Sequence, residues 1–175
     1  MTDYKGKSLV AFLVFLFLSV PAYAGKKEVQ KQIDALNEQL LKAATAGDLQ
    51  TAIGKAEEAL ELARKEFGEE GLETAKAMNN VANLYMYAGH AGEAELLYKN
   101  AILIETGHDP AGLALADSFS NLAMAYGMQK KYNEARKTLD RAYKIRMEKL
   151  GPDHPDTKKI LTALDQIRAE SKGTS

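Results

Sequence analysis

Carboxylates, histidines and asparagines are the side chains of this sequence whose types and spacing could do chemistry. Acidic clusters at Glu57-Glu58, Glu69-Glu70 and Glu93 with Glu95 could in principle supply a general acid and base, but lysine or arginine stands near each. That is the pattern of solvated helix surfaces, and all of them are expected on exposed faces or in loops. The histidines, at positions 90, 108 and 154, lack the i, i+3 or i, i+4 spacing that sets two metal ligands on one helix face. Cysteine is absent, which removes disulfides, thiolate zinc sites and cysteine nucleophiles. There is no Gly-x-Ser-x-Gly elbow, phosphate loop or dinucleotide fingerprint. The expectation is no catalytic residue, no metal and no cofactor. The asparagines differ from the rest. Asn79, Asn80 and Asn83 crowd into five residues, and Asn121 repeats the position of Asn80. Asparagine is a mediocre helix former, yet its amide both donates and accepts, which suits the alternating C=O and N–H of an extended peptide backbone.

What must position these side chains is a repeat. Ala52 and Ala59, Ala94 and Ala101, and Ala135 and Ala142 are each seven apart, and the pairs recur after 42 and then 41 residues. In the same frame Glu93-Ala94 matches Glu134-Ala135, Ile104 matches Ile145, and Asn80 to Tyr85 matches Asn121 to Tyr126. Apolar residues step by three and four at Met78, Val81, Ala82, Tyr85 and again at Phe119, Leu122, Ala123, Tyr126, the stripe of an amphipathic helix. A second stripe starts near Ala91 and again near Asn133. Alanine at a shared frame lets two helices cross closely. Gly89, Gly107 and Gly151 mark helix stops, and Asp109-Pro110 and Pro152 to Asp156 mark starts. The unit is helix, turn, helix, loop. The expected fold is all-α, a short right-handed solenoid of about seven antiparallel helices from residue 26 to about 170, with complete units near 70–107 and 111–151 and half-units at both ends.

The alanine spacing, the tyrosine late in each first helix and the two-helix unit resemble the tetratricopeptide pattern. The period of 41 to 42 residues and the Leu150-Gly151-Pro152-Asp153-His154-Pro155-Asp156-Thr157 linker are similar to the longer repeats of kinesin light chains and their exported bacterial relatives, over about residues 33–167. The middle linker, Gly107-His108-Asp109-Pro110, departs from it by being shorter. The resemblance implies a concave groove of first helices that takes a protein or extended peptide. Its lining is expected to be Lys76, Asn79, Asn80, Asn83 and Tyr87, then Asp117, Ser120, Asn121, Met124 and Met128. Asn80 and Asn121 fall where family members hold a peptide backbone. The alternative is that both bond neighbouring helices and hold the stack together. A carboxylate clamp of the family is not reproduced, since Asn37 stands where its first lysine belongs.

Lys5 and Lys7, the apolar run from Leu9 to Val20 and the small residues Ala22 and Ala24 have the layout of a secretory signal peptide over residues 1–24, with Gly25 as the mature start. The run is short for a spanning helix, so an exported, periplasmic or secreted protein is expected ahead of an N-terminally anchored one. With 23 basic and 24 acidic residues, no bulk field draws the chain to nucleic acid. A non-catalytic binding adaptor is the leading expectation. A self-assembling subunit that stacks through exposed terminal helices, and an enzyme accessory, are the alternatives.

Overall fold

The computed structural model describes the backbone of residues 5–173 and the side chains of residues 25–171. The expected signal segment, with its cleavage site after Ala24, lies outside the residues whose side chains are described. Seven α-helices and no strand occur among the described residues: α1 (Lys5–Thr45), α2 (Leu49–Phe67), α3 (Leu72–Tyr87), α4 (Ala91–His108), α5 (Leu113–Met128), α6 (Tyr132–Leu150) and α7 (Pro155–Gly173). Each helix packs on the next, and α3 also touches α5. The first helices therefore form one layer and α2, α4 and α6 the other. This is the all-α solenoid that the repeat implies. Among the described residues no helix is long and apolar enough to cross a membrane.

The six frame alanines, 52, 59, 94, 101, 135 and 142, are at most 1% exposed. A methyl group at each crossing is what lets paired backbones approach. Ala75, Ala82, Ala116 and Ala123 do the same from the first helices. Around them the expected stripes are buried, from Met78 and Val81 to Phe119, Leu122 and Tyr126. Two core clusters share Tyr85 and Leu97, so the apolar interior runs through the whole stack.

Punctuation follows the frame. Within each pair the first helix closes with a six-to-one bond, Asp48 N–H to Ala43 C=O (2.9 Å), His90 to Tyr85 (2.8 Å) and Lys131 to Tyr126 (2.8 Å). Such a closure needs one residue in the left-handed region. Gly47 (φ 79) and Gly89 (φ 81) supply it, and at the third turn Lys130 (φ 58) takes it without being glycine. Between pairs, Gly68 and Gly151 end α2 and α6 with matching φ of 82. Pro155 opens α7, where its missing N–H is no loss. Two boundaries differ from expectation. Gly107 lies inside the last turn of α4, which continues to His108. Asp109-Pro110 belongs to the loop, where Asp109 Oδ1 accepts from Ala111 N–H at 3.1 Å, and α5 starts only at Leu113. All three inter-pair loops hold four residues. The one-residue difference between the two periods is in α4 itself, 18 residues long against 19 for α2 and α6.

Lys130 carries a backbone strain that its glycine counterparts avoid. Lys130→Gly should raise stability by up to about 1 kcal/mol, visible as a higher midpoint in urea with unchanged slope.

Candidate functional site

The inner layer presents a row of asparagines that crosses from helix to helix, and Asn80 and Asn83, three apart, share one face of α3. Asn37 of α1, Asn80 and Asn83 of α3, and Asn121 of α5 lie along it. Asn80 Nδ2 donates to Asn37 Oδ1 at 3.2 Å, and Asn121 Nδ2 donates to Asn83 Oδ1 at 3.3 Å. Asn83 Oδ1 also accepts from the Tyr98 hydroxyl at 2.6 Å. Burial pushes that phenol's pKa up, so it remains a donor. Each amide thus spends one half on a neighbouring helix. The other halves, Asn37 Nδ2, Asn80 Oδ1, Asn83 Nδ2 and Asn121 Oδ1, have no partner within the described residues. They alternate donor, acceptor, donor, acceptor.

Beside the row is a depression of about 610 Å³ between α1 and α3, lined by Leu40, Leu41, Ala44, Leu84, Asn80, Asn83 and Tyr87. Tyr87 is 83% exposed at its edge, and Met124 and Met128 continue the same face on α5, both exposed. A tyrosine and two methionines in water offer adaptable apolar contact. Lys76 is exposed at the start of α3, 3.8 Å from Glu73. Asp117 pairs with Arg146, and the Ser120 hydroxyl bonds Ala116 C=O at 2.8 Å.

Asn79 faces elsewhere. Its Nδ2 donates to Glu105 Oε1 (3.1 Å) and Ser118 Oγ (2.7 Å), tying α3 to α4 and α5, while its Oδ1 is buried without a partner. It is a strut, and the open row does not include it. Glu105 is 5% exposed with Oε2 also unpartnered. Burial raises its pKa, against the lowering effect of Ser118 and Asn79.

Glu95 corrects the expectation that all the acidic clusters are solvated. Glu57, Glu58, Glu69, Glu70 and Glu93 are exposed, but Glu95 is buried. Its carboxylate accepts from Lys99 (2.5 Å) and Lys131 (2.8 Å), and from Gln129 Nε2 (2.9 Å), which also bonds Ala91 C=O at 3.1 Å. Both lysines lie 5.7 Å from the Tyr126 ring centre. Burial alone would raise the carboxyl pKa. The bonds from Lys131, Lys99 and Gln129 outweigh it and hold the group at about 2. The sequence carried a signal for both acids: Ala91, Glu95, Tyr98, Ile102 and Glu105 step by four, three, four and three along one face of α4. Asn37, too, was legible, 43 residues before Asn80.

The histidines serve turns. His90 sits 3.3 Å from Glu93, His108 Nε2 meets Glu70 C=O at 3.0 Å, and His154 Nδ1 accepts from Asp156 N–H at 3.2 Å. No group of three or more side chains placed to hold a metal occurs among the described residues. What the inner face offers is hydrogen bonding and apolar contact.

A stack of antiparallel helix pairs is the architecture of a repeat scaffold. Tetratricopeptide repeat models match residues 41–102 and 115–156. Together these take in more than half of the chain, which belongs to the tetratricopeptide repeat family. Such repeats generally mediate protein–protein interaction, and their fold is typically non-enzymatic. Among solved structures, the chain is similar to the nearly identical TPR-like repeats of a Podosopora anserina protein described as a kinesin light chain (TM-score 0.72, 20% identity, 78% of this chain and 65% of that one). It is similar to BtubC (BKLC) from P. vanneervenii (0.72, 21%, 81% and 56%). The TPR2B domain of yeast Sti1, solved as a complex with pHsp70, aligns at 0.60 and 19% over 83% of this chain and 99% of that domain. The chain thus spans less than two thirds of the length of the first two. No curated protein matches the sequence.

The two buried acids should titrate with opposite sign. Glu95, its folded pKa below the ordinary 4.5, contributes stability that is present above pH 4.5 and lost as pH falls toward 2. Glu95→Gln should cost roughly 1–3 kcal/mol at pH 7 and little at pH 2. Glu105, its folded pKa raised above 4.5, favours the fold most below pH 4.5 and less as pH rises through the raised value. Glu105→Gln removes the buried negative charge and should raise the melting temperature at pH 8 more than at pH 4. Melts of both variants across pH check the two signs.

Proposed function

We propose that this chain is a non-catalytic interaction module outside the cytoplasm, and that it holds an extended segment of a partner protein along its inner face. One observation carries the reading: the half-used amides of Asn37, Asn80, Asn83 and Asn121. Each amide is fixed by the bond it makes to a neighbouring helix, so its unpaired half has little rotamer entropy left to lose. An alternating set of donors and acceptors meets the N–H and C=O groups of a strand-like peptide. Tyr87, Met124, Met128 and the 610 Å³ depression then take side chains. Lys76, at the N-terminal end of α3, favours an acidic group there. The two readings of the asparagines, groove lining and strut, are compatible, because the same residue does both with different atoms. A protein partner accords with the Sti1 domain's complex with pHsp70. Export accords with the charged, apolar and small-residue layout of residues 1–24.

Selection from a displayed library of random linear peptides provides a probe without knowledge of the native partner. Tyr87→Ala and Met124→Ala should weaken the selected peptide by about tenfold each and leave the melting temperature unchanged, since both side chains stand in water. Asn80→Ala should weaken it by roughly two- to tenfold and also lower the melt, because it loses a helix tie and a hydrogen bond to the peptide together. No selected binder, or binding insensitive to Tyr87 and Asn80, overturns the groove.

The location has its own check. Mass spectrometry of the protein recovered from outside the cytoplasm should find Gly25 at the N-terminus, and an intact residue 1–24 segment in the membrane pellet refutes cleavage.

A further inference from the structure

The outer layer breaks the repeat at one place. Leu96 and Leu103 of α4 are seven residues apart on one stripe and are 64% and 74% exposed. In the repeat frame, 42 residues back and 41 residues on, their counterparts are Gly54 and Glu61 on α2 and Lys137 and Lys144 on α6. Only the middle helix of the outer layer carries leucine at both positions. Two exposed leucines on one stripe, absent from both flanking helices, mark a candidate contact surface.

The flanks indicate what covers it. On the α2 side of the stripe a depression of about 480 Å³ has an apolar floor and the carboxylates of Glu57, Glu61 and Glu93 at its rim, with Arg64 among them. On the α6 side the corresponding positions are Lys137 and Lys144, both exposed, with Arg141 between them. At the level of the two leucines one flank is therefore acid-rich, with Lys65 beyond Glu61, and the other basic, with Glu134 and Glu148 at its ends.

We propose that a second copy of this chain covers the stripe, related by a two-fold axis parallel to α4. That operation sets α4 beside α4 in parallel, so each leucine meets its own counterpart, and it brings the acidic flank of each copy against the basic flank of the other. A two-fold axis across α4 would instead oppose acid to acid. Because neighbouring units curve away from the convex side, only α4 meets its partner closely. Lysine and glutamate are long enough to span the gap at the flanks, with lysine stems lying on the apolar floor. The surface is opposite the asparagine row, so the proposal stands apart from the proposed peptide groove.

Light scattering on the purified protein beginning at Gly25, run as a concentration series, should show a mass approaching twice that of a single chain. Leu96→Lys with Leu103→Lys, which copies the residues α6 already carries, should return the monomer mass with an intact helical spectrum. Lys144→Glu should weaken the dimer at least tenfold at low salt, and adding Glu61→Lys should restore it. Since the chain has no cysteine, Asn100→Cys, midway along the stripe, should oxidise to a covalent dimer. A wild-type monomer at all concentrations overturns the proposal, as does an oligomer that the two leucine changes leave intact or a charge reversal that is not rescued.

Discussion

Close crossing at alanine is the constraint on which the rest of this molecule depends. With nothing larger than a methyl group at Ala94, Ala101, Ala135 and Ala142, paired helices come near enough for short polar side chains to reach across. The Tyr98 hydroxyl can meet Asn83, and Asn121 can meet Asn83 from the next unit, only at that separation. A bulkier seam would push the first helices apart and leave each amide to water. The asparagine row is thus a consequence of the packing beneath it.

The angle between successive units is held by polar groups that the apolar core alone would not orient. Non-directional burial brings helix pairs together, but hydrogen bonds fix which way they face. Asn79 joins three helices through Glu105 and Ser118, and Glu95 draws the α5–α6 turn onto α4 through Lys131 and Gln129. Both acids sit on α4, the middle helix of the outer layer. Their environments differ in what surrounds the charge. Two ammonium groups stabilise the ionised form of Glu95, whereas Glu105 has only neutral donors, and burial favours its protonated form. One helix therefore carries a carboxylate that firms the stack at neutral pH and another that strains it.

Inner and outer layers differ in residue type. The inner face pairs amides with isolated large apolar groups, Tyr87, Met124 and Met128, which suits a thin, extended ligand that needs backbone and side-chain contacts in alternation. The outer face concentrates leucine on a single stripe between flanks of opposite charge, which suits a broad and self-complementary contact. The same 41- to 42-residue frame generates both. What distinguishes them is where the sequence departs from its own repeat.

The sequence alone determined the helical period, the order of the helices and the family, because alanine pairs at fixed spacing and stripes of period 3.6 are local properties of the chain. It also marked Asn80, Asn83, Tyr87, Asn121, Met124 and Met128 as one face, since helix geometry settles which residues share a side. It missed that Glu95 is interior, because acidic neighbours such as Glu93 read as surface and only the step pattern along α4 says otherwise. Tertiary structure alone decided which half of each amide is free, and that Asn79 turns into the seam while Asn80, its neighbour in sequence, turns out of it. The reason is physical. Adjacent residues on a helix lie about 100° apart, and which of them meets a neighbour depends on the crossing angle of another helix some forty residues away.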